Sequence, residues 1–101
     1  MRERLAAFLG EVVWSDLRAH AARDAVIVVA DEMDLLDVGV AVETDDAERV
    51  EGWIAEQRIR KPRASELSAW AADPEAAFES LPVQPFVLVR PRKREAGATL
   101  N

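Results

Sequence analysis

The stretch that decides the fold is "DLLDVGVAVETDD", residues 34–46. From Leu36 onward Val38, Val40 and Val42 alternate with Asp37, Gly39, Ala41 and Glu43. Period two is the mark of a half-buried strand, here with the valines on the covered face. Just upstream, "AVIVVA" (25–30) is β-branched and too short for an ordinary helix, so it predicts a second strand. The polar "DEMD" (31–34) supplies a turn between them, and the two strands predict an antiparallel hairpin.

Downstream, Asp45 followed three residues later by Glu48 makes a capping-box pattern. Ala47, Val50, Trp53 and Ile54 then form one helical stripe that ends near Gln57. Gly52 within it costs about 1 kcal/mol against alanine, which points to a close packing neighbour there. "RIRKPR" (58–63) reads as an extended connector or short edge strand that Pro62 stops. Ser65 caps a helix bearing Leu67, Trp70 and Ala71. Asp73-Pro74 restarts that helix, with Phe78 facing inward and Leu81-Pro82 ending it. "PFVLV" (85–89) is the third clear strand.

Upstream, Leu5, Ala6, Leu9, Val12 and Val13 predict an amphipathic helix over 2–12, weakened at its far end by Gly10 and the Val12-Val13 pair. Ser15 caps a short second helix whose apolar side is Leu17 and Ala21. The resulting order is α-α-β-β-α-(β)-α-β. It predicts a single α+β domain over residues 1–90, with a three- or four-stranded sheet (the hairpin plus the C-terminal strand) and helices mainly on one face. Residues 91–101 lack periodicity and read as a disordered basic tail.

A chain of 101 residues suffices for one hydrophobic core but not two. Half of it is apolar and 32% charged, the balance of a soluble globular protein. With no cysteine there can be no disulfide, thiolate metal site or cysteine nucleophile, which suits a reducing cytoplasm. The opening "MRERLAAFLGEVVW" starts like a signal peptide, but Glu3 and Glu11 interrupt it. No stretch approaches the roughly 20 apolar residues of a membrane span. The chain is therefore read as cytoplasmic, full length and without a membrane partner.

The net charge of −6 repels nucleic acid and anionic membranes at long range. Its distribution is uneven. Between Asp31 and Glu56 lie ten acids and one base, Arg49. Eight of the thirteen bases fall in two clusters: Arg58, Arg60, Lys61 and Arg63, then Arg90, Arg92, Lys93 and Arg94. Such polarity fits self-association or a charged partner, beside the plainer reading of solvated faces.

The acids of 31–46 suggest an ion site, yet a calcium loop begun at Glu32 has Leu36 and Asp37 where a ligand and a glycine are required. On a strand, Asp37 and Glu43 stand about 20 Å apart and cannot share an ion. Turn, helix cap and wet strand face account for the cluster, and no metal or cofactor is expected. His20, the only histidine, is a candidate general base with Asp34 or Asp37, against the reading of an ordinary packed or surface histidine. Trp14, Trp53, Trp70 and Phe86 divide between core and interface; the three tryptophans suit the core by size, and exposed aromatics would suit an interface.

The order and spacing of "VVWSDLRAHAARDAVIVV", "DLLDVGVAVETDDAERVEGWI", "KPRASELSAW" and "PFVLVR" resemble a family of small bacterial proteins known as domain of unknown function 2288. The resemblance runs from Val12 to Arg90 and falls on Trp14, Leu17, Asp34, Leu35, Asp46, Trp53, Trp70, Pro85 and Val87. It departs at Phe86, where the family pattern suggests tryptophan, and at Arg90, where it suggests an uncharged polar residue. It implies no activity and supplies no catalytic residues.

The sequence thus favours a non-enzymatic interaction or regulatory module that self-associates, as a homodimer or with another protein. The first alternative is a small enzyme or ligand-binding protein with a pocket near His20. The second is weak nucleic-acid contact through 58–63 and 90–94.

Overall fold

The computed structural model describes residues 2–92. Along them run α1 (Arg2–Ala6), β1 (Gly10–Val13), α2 (Trp14–Ala22), β2 (Val26–Val29), α3 (Leu35–Glu43), α4 (Ala47–Ala55), β3 (Ile59–Arg60), α5 (Ala64–Ala71), β4 (Ala77–Val83) and β5 (Phe86–Pro91). The class is α+β, with one mixed five-stranded sheet in the order β1-β4-β5-β2-β3. β2 lies parallel to β5, and the other neighbours are antiparallel.

The 34–46 stretch corrects the sequence reading. It is a helix, so no hairpin joins it to β2, whose antiparallel partner is β3. Both periods fit the same residues. Leu35, Val38, Gly39 and Ala41 are buried, a helical face, while Asp37 and Glu43 are exposed. Three helical valines cost together on the order of 1–2 kcal/mol against alanine. Full burial of Leu35 and Val38 returns about 1.5–3 kcal/mol each, which decides for the helix. Asp34 caps it, its Oδ1 accepting from Leu36 N–H at 2.8 Å.

The end of α3 explains the rest of the stretch. Asp45 takes the left-handed conformation, φ 60°. Its N–H donates to the Val42 carbonyl at 3.1 Å and that of Asp46 to Ala41 at 2.8 Å, the paired bonds of a Schellman ending. Asp46 then caps α4, accepting from Arg49 N–H at 3.4 Å. The N-cap is therefore Asp46, not Asp45. α2 and α4 end the same way, on Asp24 (φ 62°) and Gln57 (φ 59°).

The predicted helix restart at Asp73 is the second correction. Ala76 N–H bonds the Asp73 carbonyl at 2.9 Å, closing a turn with Asp first and Pro second, and the chain continues as β4. Phe78, Ser80, Leu81 and Val83 are buried from both faces, so β4 carries no clean alternation. Pro82 is tolerated because β1 stops opposite Ser80, leaving an edge there. The N-terminal helix likewise closes after Ala6, and residues 10–13 pair with β4 instead. The cap of α5 is Arg63 rather than Ser65; Glu66 reaches back to its N–H at 2.8 Å.

Helices cover both faces rather than mainly one. On one side Leu5 of α1 and Leu35 and Val38 of α3 pack on Val29, Ile59, Leu81, Val83 and Leu88, with α4 at the margin. On the other, Trp14 and Leu17 of α2 and Leu67 and Trp70 of α5 pack on Val26, Val28, Phe78, Val87 and Val89. The close approach of helix to sheet falls at Gly39, not Gly52, which has nothing within 4 Å of where a Cβ would stand. β5 runs through Pro91, and Arg92 N–H bonds the Ala77 carbonyl at 2.9 Å. Residues 93–101, with Lys93, Arg94 and most of the expected tail, lie outside the described residues. Among the described residues, no helix is long and apolar enough to cross a membrane.

Candidate functional site

Two concave surfaces of different character flank the start of β5. The first is an apolar groove of about 390 Å³ between α4 and the sheet. Ile27, Ile59 and Leu88 form its floor and Val42, Val50, Ile54 and Phe86 its walls, with Arg60 and Lys61 at the rim. Ile54 is 54% exposed and Phe86 36%, large apolar side chains left in water. The rim cations have partners. Arg60 forms a bidentate pair with Glu66 at 2.7 and 2.8 Å, and Lys61 pairs with Asp24 at 2.6 Å. The Arg60 hydrogen bonds hold the Glu66 carboxyl below the ordinary glutamate range, and Glu66 raises Arg60 in turn.

The second, about 380 Å³, lies under α2 on the opposite face. Asp16, His20 and Arg23, spaced i, i+4 and i+7, form a polar row along the helix above Val12, Leu17 and Val87. Ser80 (5% exposed), Gln84, Pro85 and Phe86 complete the cavity. Arg23 donates from Nη2 to His20 Nδ1 at 2.9 Å. A guanidinium only donates, so Nδ1 is the acceptor and the ring proton sits on Nε2. Ser80, His20 and Asp16 share this cavity, yet they do not compose a nucleophile triad. An orienting carboxylate would need the nitrogen that Arg23 occupies.

The predicted partners of His20 lie elsewhere. Asp34 caps α3 and Asp37 sits on it, across the sheet from α2, so this structure does not unite the three. As a helix, α3 brings Asp37 and Glu43 to about 9 Å along its axis instead of 20 Å, on different sides. Among the described residues no group of three or more His, Asp or Glu is placed to hold a metal ion.

Trp14 is buried, tilted against Trp70 at 5.4 Å, and Trp70 meets Phe78 edge-on at 5.0 Å. Trp53 is half-buried against the other core beneath the Arg49 guanidinium, 5.1 Å from its ring centre. Phe86 is the predicted interface aromatic that faces water most. Of the basic clusters, Arg58 pairs with Glu56, Arg90 with Glu79 and Arg92 with Glu11, besides Arg60 and Lys61 above; Arg63 is exposed. Sequence reasoning missed Ile54 as a groove wall and the Asp16–His20–Arg23 row. The helical spacing of that row was legible; its facing a cavity was not.

The family profile described as "Protein of unknown function (DUF2288)" matches residues 1–91. The chain belongs to the DUF2288 family. It is also similar to the NMR solution structure of PA1075 from Pseudomonas aeruginosa. The identity is 26%, the TM-score 0.77, and the match covers 96% of this chain and 87% of that one. No curated protein matches the chain.

The residues that carry the DUF2288 likeness hold structural positions here. Trp14, Leu17, Leu35 and Val87 are core, and Asp34 and Asp46 are caps. Phe86 and Arg90 sit near opposite ends of β5. Phe86 walls both cavities. Arg90 clamps Glu79 through Nε at 3.0 Å and the loop after β2 through the carbonyls of Asp31, at 3.2 Å, and Met33.

Proposed function

We propose that this DUF2288 protein is a non-enzymatic interaction module that forms a homodimer by closing the groove beside α4 against its copy. The observation that carries the reading is the groove itself, apolar from floor to wall and flanked by exposed Ile54 and Phe86. A two-fold axis applies one patch to itself, so an apolar groove edged by projecting apolar side chains is self-complementary in kind. Charge favours the same pairing. The helix that walls one side, α4, also carries the acids Glu48 and Glu51, and the rim beside β3 carries Arg60 and Lys61. A two-fold axis parallel to the groove sets acid against base on both sides.

Sedimentation velocity from micromolar to submillimolar concentration tests this. The wild type is expected to dimerise and Ile54→Asp and Phe86→Asp to remain monomeric. Both positions are exposed, so the variants should keep the wild-type far-UV spectrum. A wild type that stays monomeric throughout, at low and high salt, ends the reading.

A further inference from the structure

The geometry points to the cavity under α2 as a binding site for a small zwitterion with an apolar body, the size of an amino acid or dipeptide. The argument is independent of self-association.

The row Asp16–His20–Arg23 offers, in order along one helix face, a carboxylate, an N–H donor and a guanidinium. The bond from Arg23 leaves Nε2 as the donor of the His20 ring, because a guanidinium can only donate to Nδ1. Asp16 and Arg23 are seven residues apart, about 10 Å along the axis. A ligand ammonium on Asp16 and a carboxylate on His20 Nε2–H and Arg23 span that interval. A simple anion would gain Arg23 but meet Asp16, and a simple cation the reverse, so the row selects a molecule carrying both charges.

The rest of the cavity suits what lies between those charges. Val12, Leu17 and Val87 make an apolar floor, while the nearly buried Ser80 and the exposed Gln84 place a hydroxyl and an amide beside it. An apolar cavity with a few convergent polar groups is the usual build of a small-molecule site, and about 380 Å³ lies within the usual range. Recognition here needs no covalent step.

The test is a 15N-labelled titration of the wild-type protein with leucine, phenylalanine and leucyl-leucine, beside N-acetylleucine and leucinamide. Saturable shifts are expected at Val12, His20, Ser80 and Val87, with each blocked compound weaker by about ten-fold or more. The dipeptide arm decides between the two ligand lengths. Asp16→Asn should weaken leucine but leave N-acetylleucine unchanged, and Arg23→Gln should do the converse with leucinamide. His20 nitrogen shifts should report the Nε2–H form. No saturable shift up to about 10 mM zwitterion, or equal affinity for free and blocked compounds, overturns the assignment.

Discussion

Two helical glycines, Gly39 and Gly52, should respond to alanine in opposite ways. At Gly52 nothing lies within 4 Å of an added Cβ and the residue is exposed. Gly52→Ala therefore gains the helix-propensity difference, about 1 kcal/mol. At Gly39 a Cβ would stand 2.6 Å from Leu81 Cδ2, 3.3 Å from Leu5 Cδ1 and 3.6 Å from Val83 Cγ2. Leu81 is wholly buried and cannot swing its methyl into water. Overpacking of that kind costs about 1–3 kcal/mol, set against the same gain of about 1. Gly39→Ala thus runs from neutral to about 2 kcal/mol destabilising, and the two variants should differ by about 1–3 kcal/mol. Urea unfolding measures this directly, and thermal midpoints should separate by about 4 °C or more. Adding Leu81→Ala isolates the cause. That change is costly alone, but it should remove the Gly39→Ala penalty, giving a favourable coupling of at least about 0.5 kcal/mol. If Gly39→Ala matches or exceeds Gly52→Ala in stability, the close packing of α3 on β4 is wrongly described.

Gln57 holds a left-handed conformation without the local hydrogen bonding that suits Asp to it, so Gln57→Gly should raise stability by up to about 1 kcal/mol in urea titrations. Asp34→Ala removes the α3 cap and should cost about 1 kcal/mol by the same measurement. The Arg60 hydrogen bonds lower the pKa of Glu66, so its contribution is complete above the unfolded glutamate value, about 4.3, and is lost as pH falls through the lower native one. Glu66→Gln should be less stable at pH 7 and show a flatter acid limb in stability measured from pH 3 to 7.

How much of this was legible depended on whether one local signal settled the matter. β2 and β5 were, because a short β-branched run flanked by polar residues has few other uses. α4 was, through its apolar stripe. Residues 34–46 were not, because Val38, Val40 and Val42 satisfy two periods at once and only packing under Gly39 decides between them. Two helix ends were obscured for a local reason. The Schellman endings on Asp24 and Asp45 fall where glycine would have marked the stop, whereas the end near Gln57 was legible from the close of the apolar stripe. Asp73-Pro74 opens a turn or a helix equally well, and the partner that selects the turn is a strand more than sixty residues away in sequence. The helical spacing of Asp16, His20 and Arg23 could be read from the sequence, but that the row lines a cavity could not. Nor could the apolar groove, since its walls come from α3, α4, β3 and β5.

Phe86, at the start of β5, lines both cavities, one on each face of the sheet. In open sheets with parallel strands, ligands usually sit beyond the carboxyl ends of those strands. Here Arg90, near the carboxyl ends of the parallel pair β2 and β5, ties Glu79 of β4 to the loop entering α3. α3 packs over Leu81 and Val83, and Phe86, the partner of Val83 in the β4–β5 pairing, stays 36% exposed where β5 begins. There the β4–β5 turn parts the two faces, and Phe86 belongs to the wall of each cavity.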